Sequence, residues 1–276
     1  MQSSGESVPE SESASGYEFD AATAVAADGS AHIADGWDIN GNANGGYLMA
    51  LAARHMLAVS GRPHPVSLTG HYLAPGRPGP VQVDATVVKA GRRFATVSAQ
   101  LRSGDKPLLQ LLGAFGDMSG DESFEHVAST PPDLPPFDEC PARERFQGTA
   151  EVAINDRTEV RLHPDHLGWL RGERSGSAEM AGWFAFRDRR PIDTLALLTV
   201  CDSFPPAVFH LDMPPGWVPT LELTVHVRGI PAPGPVQCVF RSQFVQGGFF
   251  NEDGEVWDSE GRLVALSRQI GLTPLA

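Results

Sequence analysis

"SLTGHYLAPGRPGPVQ" occupies Ser67–Gln82, and "ELTVHVRGIPAPGPVQ" occupies Glu222–Gln237, 155 residues further along the chain. Laid over one another without a gap, the two stretches agree at eight of sixteen positions. The agreements are Leu68/Leu223, Thr69/Thr224, His71/His226, Pro78/Pro233 and the shared Gly-Pro-Val-Gln that ends each. Ordinary composition gives about one match in such a window. The same shift sets Leu108, Leu111 and Gly116 against Leu263, Leu266 and Gly271, with one insertion between the blocks balanced by a deletion. The chain is therefore an internal duplication, and its period is too long for a solenoid repeat.

Working outward, 276 residues suffice for two modest cores. Against 34 acidic residues stand only 21 Lys and Arg, a net charge of −13 with no dense basic cluster, which disfavours nucleic-acid binding. No apolar run reaches the 18 or so residues of a membrane span, so membrane insertion is not expected. The start, "MQSSGESVPESESASG" (residues 1–16), is polar and acidic without an apolar stretch, and reads as a disordered tail rather than a secretory signal. Cys140, Cys201 and Cys238 are odd in number and unpatterned, which points to a reducing, cytoplasmic setting.

Each copy has the same plan. "FDAATAVAADGSAHIADG" reads as two strands joined at Asp28-Gly29. "NANGGYLMALAARHMLAVSG" reads as a buried helix with Asn44 as N-cap and Gly61 as stop. Strands are expected at Val66–Tyr72, Val81–Ala90, Phe94–Ser103 and Lys106–Gly116. Residues 119–149, with two Pro-Pro pairs and many acids, read as a surface linker between units at 17–118 and 150–276. The second unit should have strands at Val152–Leu162 and Ser177–Arg187, then a helix in "PIDTLALLTVCDSF" with Pro191 near its first position. Further strands are expected at Thr220–Val227, Val236–Val245, Phe249–Asp258 and Arg262–Gly271. An antiparallel sheet wrapped round one apolar helix is a hotdog. Two in tandem make an α+β double hotdog.

Familiar catalytic signatures are absent: no G-x-S-x-G elbow, no Walker A loop and no H-E-x-x-H. "HPDH" (His163–His166) reads as a solvent-facing loop rather than a metal site, and no metal is expected. "NEDGEVWDSEG" (Asn251–Gly261) lacks the spacing of a calcium loop and reads as a hairpin between apolar strands. Cys201, following an apolar run, reads as a buried, inert thiol. The duplication separates the remaining polar residues. His71 has a copy in His226, which favours a structural role, with substrate contact as the alternative. Asp202, Thr220 and Gln269 are polar in one copy only, and the 155-residue shift sets them against Tyr47, Pro65 and Ala114. Taken singly, each also suits a cap, a turn or an outward strand position.

"WDINGNANGGYLMALAARHM" (Trp37–Met56) and "VVKAGRRFATVSAQLRSGDKPLLQLLGAF" (Val87–Phe115) resemble the first-helix entry and the turn-and-strand block of the acyl-CoA thioesterase II family. "CDSF", "PTLELTVHVR" and "ALSRQIGL" are similar to the segments carrying that family's Asp, Thr and Gln, which fall here on Asp202, Thr220 and Gln269. The family's aromatic-His strand departs here, since His226 has no Trp or Phe beside it. The resemblance implies hydrolysis of an acyl-CoA thioester by an activated water, without a covalent acyl-enzyme. Its only coenzyme is the coenzyme A of the substrate. In that reading Asp202 is the base, while Thr220 and Gln269 hold the water. The N–H groups of Gly45 and Gly46 at a helix start would polarise the carbonyl, with close helix packing as the alternative for that glycine pair. Lys89, Arg92 and Arg93 are candidates for the coenzyme A phosphates, or else a solvated hairpin tip. A homo-oligomer is expected. The rival functions are a non-catalytic acyl-CoA-binding hotdog and a hydratase-like hotdog enzyme. The hydratase chemistry wants Asp-x-Asn-x-x-His, where "DINGNA" (Asp38–Ala43) ends in Ala43.

Overall fold

The computed structural model describes residues 16–118, 124–144, 146–147, 150–214 and 216–274. Nearly all of the proposed tail, and residues 119–123, 145 and 148–149 of the proposed linker, lie outside these. Eleven strands form one antiparallel sheet. They are β1 (Ser30–Ile33), β2 (His64–Tyr72), β3 (Gly79–Ala90), β4 (Phe94–Ser103), β5 (Lys106–Gly116), β6 (Thr158–Leu162), β7 (Glu179–Phe186), β8 (Thr220–Val227), β9 (Val236–Gln246), β10 (Phe249–Trp257) and β11 (Leu263–Leu272). Their order across the sheet is β1-β3-β4-β5-β2-β8-β11-β10-β9-β7-β6. The strand alternation is plain in β4, where Ala95, Val97, Ala99 and Leu101 are buried and their neighbours are not. Buried apolar residues of both halves form a single cluster.

The duplicated stretch meets itself at the centre of this sheet. Strands β2 and β8 pair with Thr69 opposite Thr224, His71 opposite Glu222 and Ser67 opposite His226. The 155-residue shift maps this set of pairs onto itself, so a pseudo-twofold axis passes between Thr69 and Thr224. Their hydroxyl oxygens lie 2.8 Å apart. Thr224 donates to Glu222 Oε1 at 2.6 Å, so Thr69 is the donor within the threonine pair. Moving outward, β5, β4, β3 and β1 on one side correspond to β11, β10, β9 and β7 on the other, and β6 is additional.

Strand registers locate the insertion. Leu68 faces Gly113, whereas its copy Leu223 faces Gln269, so the last strand is offset by 156. The extra residue lies in the loop between Trp257 and Leu263, longer than the turn between Ser103 and Lys106. Gln269 therefore corresponds to Gly113 and not to Ala114.

The helices break the symmetry further. Helix α1 (Glu18–Ala22) replaces the first strand expected before Asp28-Gly29; only Val25 bridges to Ala31. The Asp28-Gly29 turn is present, with Gly29 at φ +84°. Helix α2 (Gly45–Ser60) forms as expected. Asn44 Oδ1 accepts from Tyr47 N at 2.8 Å, and Gly61 closes the helix in a left-handed conformation at φ +62°. It packs on strands β2–β5. The second helix, α3 (Ala196–Val200), has five residues only and begins well after Pro191. Asp193 Oδ1 accepts from Ala196 N at 2.8 Å and opens it. Shifting α2 by 155 lands on residues 200–215, which contain Pro205, Pro206, Pro214 and Pro215 and cannot hold a helix. A 3-10 turn at Ala207–His210 stands there instead. Tyr47, in the first turn of α2, and Asp202, just past α3, therefore occupy unlike elements.

Other local expectations change as well. Val152–Leu162 is a 3-10 turn at Ala153–Asp156 followed by β6, and His163–His166 opens a 3-10 stretch at Pro164–Arg171. The strand expected at Phe249–Asp258 is present as β10, and the hairpin reading of Asn251–Gly261 narrows to a reversal at Asp258–Gly261. Residues 124–130 are exposed. Among the described residues no helix is long and apolar enough to cross a membrane.

The ends of the two halves are tied by Arg190, 7% exposed, whose guanidinium bonds Asp20 at 2.8 and 3.0 Å and Asp193 at 2.6 Å. It also lies 4.8 Å from the centre of the Phe19 ring.

Candidate active site

The N-terminus of α2 points at the end of α3, and the two touch through glycine. A Cβ on Gly46 would sit 2.6 Å from Leu198 O and 2.8 Å from Asp202 Cβ. On Gly45 it would sit 2.9 Å from both Asp202 Oδ2 and the Tyr72 ring. The close-packing reading of this glycine pair is therefore the one the structure supports, Gly46 against the end of α3 and Gly45 against Asp202 and Tyr72 of β2. This approach brings the Asp202 carboxylate onto the helix start. Oδ2 accepts from Gly46 N at 2.8 Å and from Asn44 Nδ2 at 3.1 Å, and Asn44 Nδ2 also donates to Asp202 O at 2.7 Å. Burial raises the Asp202 pKa to about 6, against the lowering effect of the Gly46, Gly45 and Asn44 donors. The Gly46 N–H, expected to face a substrate carbonyl, is thus committed to Asp202.

Thr220 and Gln269 meet across strands β8 and β11. Thr220 Oγ1 donates to Gln269 Oε1 at 3.1 Å, and Gln269 Nε2 donates to Glu252 Oε1 at 2.7 Å. Glu252, on β10 directly opposite Gln269, is 4% exposed. Its other oxygen accepts from Ala207 N at 2.6 Å. Burial, opposed by these donors and reinforced by the Asp202 charge, pushes its pKa up to about 7. Sequence reasoning missed Glu252, which lies within the stretch read as a hairpin. The signal was available: an acid at an inward position of a strand that alternates Phe250, Glu252, Gly254 and Val256.

Asp202, Thr220, Gln269 and Gly45 all line one cavity of about 760 Å³. Its apolar wall includes Leu48, Phe204, Phe209, Met213, Trp217 and Phe250. The cavity occupies the place where the proline-broken loop replaces a second long helix. Tyr72 contributes its ring, and its phenol pKa is raised well above the usual value by burial and by the Asp202 and Glu222 charges.

The remaining candidates lie elsewhere. His71 is exposed on β2, because Leu68, Gly70 and Tyr72 take the inward positions and alternation turns His71 out. Lys89, Arg92 and Arg93 are exposed at the β3–β4 tip. Arg62, just beyond α2, bonds Gly91 O at 2.6 Å and Arg92 O at 3.2 Å, so that tip sits at the opposite end of α2 from Asp202. The helix's 16 residues separate them by about 24 Å at 1.5 Å per residue. Asp38 Oδ1 accepts from Gly41 N at 2.8 Å and serves a turn. His163 and His166 accept from backbone N–H groups of Asp165 and Ala181. The described residues contain no group of three or more His, Cys, Asp or Glu side chains placed to hold a metal.

With this geometry in hand, comparison with known proteins adds a family. The acyl-CoA thioesterase C-terminal domain matches residues 131–273, and the acyl-CoA thioesterase N-terminal domain matches residues 33–116. A candidate thioesterase II from Thermobifida fusca superposes with a TM-score of 0.84 at 31% identity, over 94% of this chain and 98% of its own. A conserved protein of unknown function with a hotdog fold from Alicyclobacillus acidocaldarius superposes with a TM-score of 0.82 at 24% identity, over 94% and 99%. The fold is accordingly a hotdog fold of α+β class. An uncharacterized protein of Mycobacterium tuberculosis is 26% identical over 86% of this chain and 88% of its own.

Proposed function

The chain belongs to the acyl-CoA thioesterase family, and from that premise we propose that it hydrolyses acyl-CoA with a water activated by Asp202. The observation that carries this reading is the meeting of Asp202 with the paired Thr220 and Gln269 on one largely apolar cavity. Two tandem hotdogs sharing the sheet at β2–β8 build that site once, from Asp202, Thr220 and Gln269 of the second half and the start of α2 in the first.

In this mechanism the acyl chain lies against the apolar wall and the thioester carbonyl carbon faces the held water. Thr220 donates its hydrogen bond to Gln269 Oε1, so the lone pairs of its oxygen are left to accept a hydrogen of the water. Asp202, with room on its carboxylate beyond the donors of α2, accepts the proton that leaves as the water oxygen bonds to the carbonyl carbon. The C–S bond then breaks, and the proton passes from Asp202 to the departing thiolate, giving a free acid and coenzyme A. No side chain needs to bond covalently to the acyl group. The helix start counters burial at Asp202 and holds its pKa near 6, so at pH 7 it is mostly an ionised base. A cytoplasmic setting suits the free, buried Cys140, Cys201 and Cys238.

The test is release of free thiol from acyl-CoA substrates of graded chain length. Turnover that falls with Asp202→Asn while the acyl-CoA still binds supports hydrolysis. Tight binding with no turnover at any length would favour the acyl-binding alternative.

A further inference from the structure

Thr220 turns only acceptor lone pairs to the cavity while its own proton points at Gln269, and a hydroxyl rotates freely unless something fixes it. Gln269 cannot fix it alone, because an amide can present either its oxygen or its nitrogen. The orientation follows from the hydrogen-bond partners. Glu252 Oε2 is held by the Ala207 N–H at 2.6 Å, and Oε1 faces Gln269 at 2.7 Å. An ionised carboxylate only accepts, so Gln269 must turn its NH₂ to Glu252 and its oxygen to Thr220.

Resting on the thioesterase reading of this site, we propose that Glu252 is its positioning residue. By accepting from Gln269 it sets which way the Thr220 hydroxyl points, and so whether Thr220 meets the attacking water as an acceptor or as a donor. Glu252 does not line the cavity and touches no substrate. It acts through Gln269.

The surroundings leave Glu252 few other partners. Gln269 faces it from β11, Ser242 from the irregular stretch of β9, and Ala207 N from the 3-10 turn. Asp202 beyond α3 is the charge that bears on it. Arg241 on β9 pairs instead with Glu179 and Glu255, and Asp253 with Arg268. His210 of the same turn packs edge-on against His166, 5.6 Å between ring centres. Protonation of Glu252 must fall on Oε1, since Oε2 is held by a backbone donor. The new O–H then donates to Gln269, whose amide flips and offers NH₂ to Thr220. Thr220 becomes the acceptor from Gln269, its proton turns to the cavity, and the water meets a donor in place of an acceptor, which ties up the lone pair it needs for attack.

Glu252→Gln builds that reversed state at all pH values. Its single oxygen stays with Ala207 N–H, its NH₂ faces Gln269, and the amide flips. The Ala207 N–H, the Gln269 amide and Thr220 all remain bonded, so folding should not suffer. Three readouts test this in the full-length protein: steady-state thiol release, thermal melting, and side-chain amide NMR of Gln269 assigned by its loss in Gln269→Ala. The expected result is kcat lower by about 10- to 100-fold, the cost of a displaced reacting group, with KM near the wild-type value and no fall in melting temperature at pH 8. The Gln269 amide should titrate near pH 7 in the wild type and not in Glu252→Gln. Wild-type kcat in Glu252→Gln, loss of kcat in proportion to loss of melting temperature, or a Gln269 amide indifferent to pH would each overturn the proposal. A wild-type protein that releases no thiol, yet shows the Gln269 titration and its loss in Glu252→Gln, would uphold the hydrogen-bond arrangement and sink the thioesterase reading alone.

Discussion

At matched places in the sheet, the first half carries Pro65, Val97 and Gly113, and the second carries Thr220, Glu252 and Gln269. Val97 pairs with Gly113 as Glu252 pairs with Gln269. In the first half that pair is dry: Val97 is fully buried, and a Cβ on Gly113 would meet Leu68 Cδ1 at 2.5 Å. The same scaffold thus supports an apolar contact in one copy and a chain of polar contacts in the other. The difference lies less in the strands than in what covers them. Over the first half lies the long α2; over the second, the proline-broken loop supplies the Ala207 N–H and opens the cavity. A buried carboxyl survives only where such a donor is at hand.

The sharpest way to break this contrast is Asp202→Asn, which should lower thiol release about 10²- to 10⁴-fold, as loss of a general base does, with acyl-CoA binding largely kept. A pH profile sharpens it. Burial raises both Asp202, to about 6, and Glu252, to about 7, and both are needed ionised, so kcat/KM should fall as pH drops through this window. The sign for stability is the opposite. A raised carboxyl pKa favours the fold below its unfolded value near 4, and that favour is lost as pH rises through about 6 to 7. Melting should therefore come earlier at pH 8 than at pH 5 by the share of these two groups, and Glu252→Gln should shrink the gap.

Val97→Glu copies the second-half acid into the first half without its partners, and should destabilise by about 3–5 kcal/mol, read as a shifted denaturant midpoint. Arg190→Ala cuts the tie between halves. Asp20 keeps Arg54 at 3.0 Å and is partly solvated, so the loss should be smaller, about 2–3 kcal/mol. Thr69→Val, at the pseudo-twofold axis, should cost only about 1 kcal/mol, because it removes the donor and leaves the Thr224 bond to Glu222 intact.

Strands β2–β5 and β8–β11 were legible because period-two burial and turn residues repeat in both copies. The repeat even contained the register of the central pairing. Helix α2 was legible from Asn44 and Gly61. A second helix within Pro191–Phe204 was legible too, but not its bounds: α3 covers Ala196–Val200 only, and Asp193 rather than Pro191 opens it. The phase of Gln269 was misread by one residue because a loop insertion is invisible until strands are paired. Asp202, Thr220 and Gln269 were singled out as polar in one copy only, and they do share a cavity. Glu252 carries the same mark against Val97, yet it lies in Asn251–Gly261, a stretch that reads as a hairpin between apolar strands. Its role depends on Ala207, 45 residues away, a contact that only the fold creates.

The threonine pair on the pseudo-twofold axis also bears on how the protein is made. Strand β2 has its second neighbour in β8, so a growing chain finishes the first half with one edge of β2 open. The roughly 100 residues between Gly116 and Thr220 take on the order of 5–20 s to synthesise at 5–20 residues per second. During that interval β2 offers an unpaired row of N–H and C=O groups, with Leu68 and Thr69 at its middle. Because β8 copies β2, the β2 of a neighbouring nascent chain presents nearly the surface that β8 later brings, Thr69 against Thr69. Two such unfinished chains present matching edges to one another, and the pairing of β8 with β2 is what closes that edge within a single molecule.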